Sequence, residues 1–200
     1  MSESQGPGRM RVIAGKYKSR RLEAPPGMET RPTSDRLRET LFNVVARGIE
    51  GSVWLDLFAG SGAIGIEALS RGAHSVYFVE SAALAARTIR KNLHILKIEA
   101  GAELIERDVV DALRRLESQS VRCDFVFLDP PYRKLGDYDR VLTFLAQSRL
   151  LNPGGRVIAE HDKHFDPGDR FGTLRRFRTL RQRDAVLSFY SVAALQTAVE

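Results

Sequence analysis

From residue 53 onward, short apolar runs alternate with longer stretches whose apolar positions recur at helical spacing. Residues 53–57 (VWLDL), 76–79 (VYFV), 125–128 (FVFL) and 156–160 (RVIAE) read as buried strands, and 103–106 as a weaker one. Helices are predicted over about 62–71 and 109–116. Two more are marked by faces carrying Ala85, Ile89, Leu93 and Leu96, and Tyr138, Val141, Leu142 and Leu145. Asn152-Pro153-Gly154-Gly155 is expected to turn the chain into the strand at 156, and strands near 174–181 and 185–192 close it. This alternation predicts an α/β domain with a mostly parallel sheet covered on both faces. Ligands of such sheets bind beyond the carboxyl ends of the strands.

Upstream of this region, "RMRVIAGKYKSRRLEAP" alternates enough to predict a short hairpin or extended arm turning at Gly15-Lys16, broken by Pro25, Pro26 and Gly27. Thr33 or Ser34 is a fair N-cap, with Asp35 in the first helical turn. Leu37, Leu41, Val44 and Val45 then share a face, and Gly48 ends the helix. The organisation expected is a flexible leader at 1–8, a basic arm and helix at 9–48, the main domain at 49–192, and a tail at 193–200.

Two hundred residues with 43% hydrophobic and 28% charged content can build one domain with a sizeable core. No apolar run reaches the roughly 18 residues of a membrane span, and the N-terminus lacks an export signal. The single cysteine, Cys123, rules out an internal disulfide framework and a multi-cysteine zinc site, which makes the cytoplasm the expected compartment. Cys123 opens an apolar strand, where a small buried hydrophobe is expected.

The net charge of +6 is unevenly laid out. Residues 9–38 carry nine Lys or Arg against three acids, and residues 170–183 carry six Arg and no acid. The span 39–169 carries 16 basic and 19 acidic residues. Basic ends with interleaved aromatics (Tyr17, Phe171, Phe177) on a slightly acidic middle point to a nucleic acid held at the edges. The expected contacts are Arg11, Lys16, Lys18, Arg20 and Arg21 in the arm, with Arg133 and Lys134 beside the central site.

Four strands end in an acid: Asp56, Glu80, Asp108 and Asp129. Between the first two lies Gly60-Ser61-Gly62-Ala63-Ile64-Gly65, which satisfies the dinucleotide fingerprint G-x-G-x-x-G, with Glu80 placed 20 residues after Gly60. Asp56, four residues before that glycine, argues against a pyrophosphate, because it would set like charges together. A cationic ligand suits it. S-adenosylmethionine has an ammonium, a sulfonium, a ribose diol for Glu80 and an adenine amine for Asp108, and so fits the acid set better than NAD.

Asp129 is followed by Pro130, Pro131 and Tyr132. The prolines stop the sheet ladder and fix a rigid corner. The Asp129 carboxylate and the Pro130 carbonyl can accept the two N–H groups of an exocyclic amine, aiming its lone pair at a methyl donor. Tyr132 offers a face on which an extruded base can stack. His161, Asp162 and His164 in "AEHDKHFD" suggest a metal only superficially; no periodicity puts them on one face, and they read as a polar loop.

With DLFAGSG at 56–62 and DPPY at 129–132 in this order, the chain resembles the class I S-adenosylmethionine-dependent methyltransferases acting on amino nitrogens. "RVIAGKYKSRRLEAP" and "TRPTSDRLRETLFN" look specifically like the RsmD-type enzymes that methylate guanine N2 in 16S ribosomal RNA. The resemblance runs from Met10 to about Tyr190. It implies a seven-stranded sheet with one antiparallel strand near the C-terminus, and a monomer acting on the RNA of the small ribosomal subunit. It also implies that Asp56, Gly60 and Gly62 hold the methionine part of the cofactor, that Glu80 holds the ribose, and that Asp108 and the Val109 backbone hold the adenine. Arg31-Pro32-Thr33 would lid the cofactor, and Asp129 to Tyr132 would receive the guanine. Three rival functions remain open at this point: a DNA adenine-N6 or cytosine-N4 methyltransferase, a nicotinamide-dependent oxidoreductase, and a non-catalytic RNA-binding protein.

Overall fold

The computed structural model describes residues 10–26, 34–131 and 133–192. Five strands, β1 (Val53–Leu57), β2 (Ser75–Val79), β3 (Ala102–Ile105), β4 (Cys123–Leu128) and β5 (Leu151–Asp162), alternate with helices α2 (Ala63–Ser70), α3 (Ala83–Ile95), α4 (Val109–Ser118) and α5 (Gly136–Gln147). Helix α1 (Asp35–Val45) precedes them, followed by a single 3-10 turn at Ala46–Gly48. Strands β6 (Arg170–Phe171), β7 (Leu174–Gln182) and β8 (Ala185–Val192) complete the sheet, whose order is β3-β2-β1-β4-β5-β8-β7-β6.

The sheet is an α/β arrangement with β1 to β5 parallel and β8 running antiparallel between β5 and β7. It has eight strands, where seven were expected. The extra one is β6, two residues that pair with Leu174 and Arg175 at the edge of β7 and are too short to show any periodicity. A second expectation is also corrected. Residues 152–155 do not turn into β5 but lie inside it, and the pairing with β4 shifts register between Cys123 and Phe125. Gly154 at φ 80° supplies the left-handed residue of that irregularity.

Each face of the sheet buries one apolar cluster. On one side Phe42 of α1 stacks on Trp54 at 5.4 Å between ring centroids, and Trp54 stacks on Phe125 at 4.6 Å. Met10, Val12 and Leu22 of the N-terminal segment join this cluster. On the other side Leu113 and Leu116 of α4, and Tyr138, Leu142 and Leu145 of α5, cover Leu55, Val126 and Val157. Aromatic pairs at such distances add about 0.5–1.5 kcal/mol to plain burial. Cys123 is fully buried and donates to the Leu150 carbonyl; burial raises its thiol pKa, so it behaves as a core residue.

The segment at 10–22 is a hairpin. Leu22 N–H donates to Met10 O, Val12 N–H to Arg20 O and Ser19 N–H to Val12 O, with a bridge between Arg11 and Arg21. Ser34 caps α1 by accepting from Leu37 N–H. Among the described residues no helix is long and apolar enough to cross a membrane.

Candidate active site

The parallel pairing of β1 with β2 and β4 brings Leu57, Val79 and Leu128 level, so the segments leaving these strands meet at one rim. Between β1 and α2 the chain makes a tight loop: Phe58 takes φ 59°, Gly60 φ 56° and Gly62 φ 76°. Left-handed backbone is ordinary for glycine and costly for a phenylalanine, which marks this loop as strained where a ligand would rest. Gly65 has a different reason to be glycine. A Cβ there would stand 2.3 Å from the Phe78 ring, so α2 packs this close to β2 only without a side chain.

Acids hold that loop from two sides. Asp56, only 2% exposed, accepts from Gly65 N–H at 2.9 Å. Glu80 accepts from Gly60 N–H at 2.9 Å through one oxygen and from Ala82 N–H at 2.7 Å through the other. Burial pushes the Asp56 carboxyl up to about 8; the Gly65 bond opposes this, and the charges of Glu80 and Asp129 add to it. Burial likewise pushes Asp129 up to about 7. The rim therefore gathers acids whose ionised forms burial disfavours, an arrangement that a bound cation would relieve.

Asp129 and Pro130 leave β4 partly buried and buried respectively, and Pro131 is exposed. The corner closes on α5 through Lys134 N–H to Pro131 O at 2.7 Å and Asp137 N–H to Lys134 O at 2.9 Å. Tyr138 then anchors α5 to β5 by donating to Glu160 O at 2.5 Å. Asp108 caps α4, accepting from Val110 N–H at 3.0 Å and from Arg140 at 3.2 Å, both through Oδ1. Val109, the first residue of α4, is buried. Tyr132, Arg31 and Thr33 lie outside the described residues.

Of the basic contacts expected, Lys16, Lys18, Arg20 and Arg21 are exposed on the hairpin, and Arg133 and Lys134 are exposed beside the Asp129 corner. Arg11 is exposed and paired with Asp35 at 3.3 Å. The expected polar loop at 161–164 is only partly one. His161 and Asp162 end β5, and His161 is buried with Nε2 against Ser188 Oγ at 2.9 Å. Among the described residues no cluster of three or more His, Cys, Asp or Glu could hold a metal.

Three buried polar side chains that the sequence reading did not single out fasten the hairpin to this site. Glu67 of α2 accepts from Ile13 N–H at 2.7 Å, Ala14 N–H at 3.0 Å and Arg71 at 2.6 Å. Ser70 accepts from Tyr17 N–H and donates to Ala14 O. Asn92 of α3 accepts from Glu23 N–H and donates to the carbonyls of Glu23 and Ser61, joining the arm to the glycine loop. Their signal was visible as polar residues on otherwise apolar helix faces, such as Glu67 within AIGIEALS.

The strand order, the inserted antiparallel strand and the acid-lined loop after β1 define a class I methyltransferase fold. The sequence model for the family described as conserved hypothetical protein 95 matches residues 10–191, and the chain belongs to that family. It is 40% identical over 157 residues to ribosomal RNA small subunit methyltransferase D of Escherichia coli, covering 78% of this chain and 77% of that protein. The same-named protein of Haemophilus influenzae is 38% identical, with 78% and 80% covered. The solved structure of yhhF from Escherichia coli matches with TM-score 0.80 at 28% identity, covering 94% of this chain and 99% of that one.

Proposed function

We propose that this protein transfers a methyl group from S-adenosylmethionine to the exocyclic N2 of a guanine in 16S ribosomal RNA. The observation that carries the reading is the convergence of Asp56, Glu80 and Asp129 on one rim, beside a glycine loop that Glu80 and Asp56 help to hold. The cofactor, when bound, supplies an electrophilic methyl. Its cationic groups suit a rim where acids are raised by burial, whereas a pyrophosphate would meet repulsion there. Glu80 is assigned to the ribose diol, Asp108 and the Val109 backbone to the adenine, and Asp56 with Gly60 and Gly62 to the methionine end.

Asp129 and the Pro130 carbonyl accept the two amine N–H groups, and the fixed corner aims the nitrogen lone pair. No strong base is required, because the amine proton leaves after the transfer. Tyr132 is assigned to stacking on the base, and Arg31 and Thr33 to covering the cofactor. The exposed cations of the hairpin, with Arg133 and Lys134, hold phosphates. The protein acts in the cytoplasm as a monomer, on RNA within the small ribosomal subunit.

The test offers labelled S-adenosylmethionine with unmethylated small subunits, their stripped RNA and duplex DNA, and identifies the modified nucleoside by mass. N2-methylguanosine from a ribosomal sample is expected. N6-methyladenine or N4-methylcytosine from DNA would replace this reading with the DNA enzyme.

A further inference from the structure

The second basic run, residues 170–183, separates in the structure into arginines with different surroundings. Arg176 is taken by the fold: it donates to Asp166 at 2.6 and 3.0 Å and to Asp169 at 2.7 Å. Arg175 and Arg178 are exposed, and among the described residues neither has a carboxylate partner. The contrast with the helices is clear, where Arg90, Arg114, Arg115 and Arg140 each hold an acid.

Register puts the unpaired ones together. Arg175 lies opposite Ser191, Arg178 opposite Phe189, and Arg156 of β5 opposite Ser191, so the three guanidiniums project from the face of the sheet that carries α1. A bulge between Arg176 and Arg178 sets Phe177 among them. Phe177 is 51% exposed, its ring 6.2 Å from that of Phe189, with the Arg156 guanidinium 5.9 Å from its centroid. Arg156 also lines an adjoining groove of about 560 Å³ beneath the end of α1, with Arg47, Asn43 and Phe125. The acids of that groove are Glu50 and Asp124, and Asp124 is engaged by Val53 N–H and the Asn152 amide.

Arginines on an edge strand also discourage strand addition between molecules, but that role is weakened, not served, by an exposed phenylalanine in the same strand. A half-exposed aromatic ring among guanidiniums has the chemistry that takes a stacked base with its flanking phosphates. We infer that this face of β7 is a second RNA-contacting surface, where an unpaired nucleotide of the substrate RNA stacks on Phe177 and its phosphates are held by Arg175, Arg178 and Arg156. The inference rests on the reading that ribosomal RNA is the substrate. The surface lies on strands that carry none of the cofactor-binding or acceptor-binding residues, so it governs RNA affinity and not the transfer step.

Methyl transfer to the ribosomal substrate is measured for R175E/R178E, F177A, F177W and R181E. Arg181 is exposed on the opposite face of the same strand and serves as the charge control. F177A is expected to raise KM about five-fold or more with kcat nearly unchanged, and F177W to restore it. R175E/R178E is expected to lower the salt slope of RNA binding by about 1.5. A photocrosslinking amino acid in place of Phe177 is expected to join to RNA in small subunits. Unchanged KM and salt slope, an equal effect from R181E, or crosslinking only to ribosomal protein each overturns the surface. If the wild-type chain transfers no methyl to the RNA, the substrate reading falls and this inference with it; if it does and the variants match it, the surface alone falls.

Discussion

Asp129 is the residue at which burial and chemistry meet most directly. Its carboxyl is raised to about 7 by desolvation, while its proposed task requires the ionised form to accept amine N–H groups. Turnover at low cofactor concentration should therefore rise with pH through about 7 and level off only above about 8, where Asp56 is ionised as well. A bound cation favours ionisation, so saturating cofactor should move the inflection lower. Asp129→Ala should lower kcat by at least about 10² while leaving most of the cofactor affinity, and should remove the inflection near 7. A variant with normal turnover, or with the same pH profile, would take Asp129 out of the mechanism. The raised acids also act on stability: a carboxyl whose pKa is higher in the folded state binds its proton more tightly there. Asp56 and Asp129 thus withdraw stability as pH rises from the ordinary carboxylate range toward 7 or 8. Asp166 has the opposite sign. Its hydrogen bonds to Arg176 hold it at about 2, so its contribution is present above the ordinary range and lost as pH falls toward 2.

At the scale of elements, the hairpin at 10–22 is fastened to helix α2 by the Glu67 carboxylate and by Ser70. Glu67 satisfies two backbone N–H groups and Arg71 at once. Glu67→Ala would remove the acceptor of all three partly buried donors, at a cost of about 2–3 kcal/mol. Amide exchange at Ile13 and Ala14 should accelerate, and trypsin should cut sooner at Lys16, Lys18 or Arg20. Unaltered exchange together with an unaltered melting temperature would mean that apolar packing of Met10, Val12 and Leu22 holds the hairpin without it. An N-cap at Thr33 or Ser34, which the structure resolves to Ser34, and the strands at 53–57 and 76–79 were legible beforehand, because capping and short apolar runs are local signals. Strand β6 and the irregular start of β5 were not, because each exists only through its pairing with another strand.

Over the whole molecule, charge is sorted between internal pairing and outward presentation. Acids gather at the rim, and exposed cations for which the described residues supply no carboxylate, such as Lys16, Arg21, Arg175 and Arg178, stand on the hairpin and on β7. Neutralising Arg20 and Arg21 should weaken RNA binding and lower its salt slope by about 1.5, as expected for two lost phosphate contacts. An unchanged slope would mean that the hairpin does not touch phosphate. Asn92, which holds both Glu23 and Ser61, ties the segment that follows the hairpin to the glycine loop, so the proposed RNA contact and the proposed cofactor loop are joined through one side chain.

The sequence by itself determined most of the elements, the glycine loop, the acids at the strand ends and the Asp-Pro-Pro corner. Those features follow from periods of two and of about 3.6 residues and from the backbone chemistry of glycine and proline, all of which act over a few neighbours. Tertiary structure alone decided which acids feel one another, so that Asp56 is raised partly by Glu80 and Asp129. It also decided the fates of neighbouring arginines: Arg176 is tied to Asp166 and Asp169, while Arg175 and Arg178 are left to solvent. In sequence these three are alike. Strand order, register and one bulge separate them, because burial and pairing depend on residues far apart in the chain.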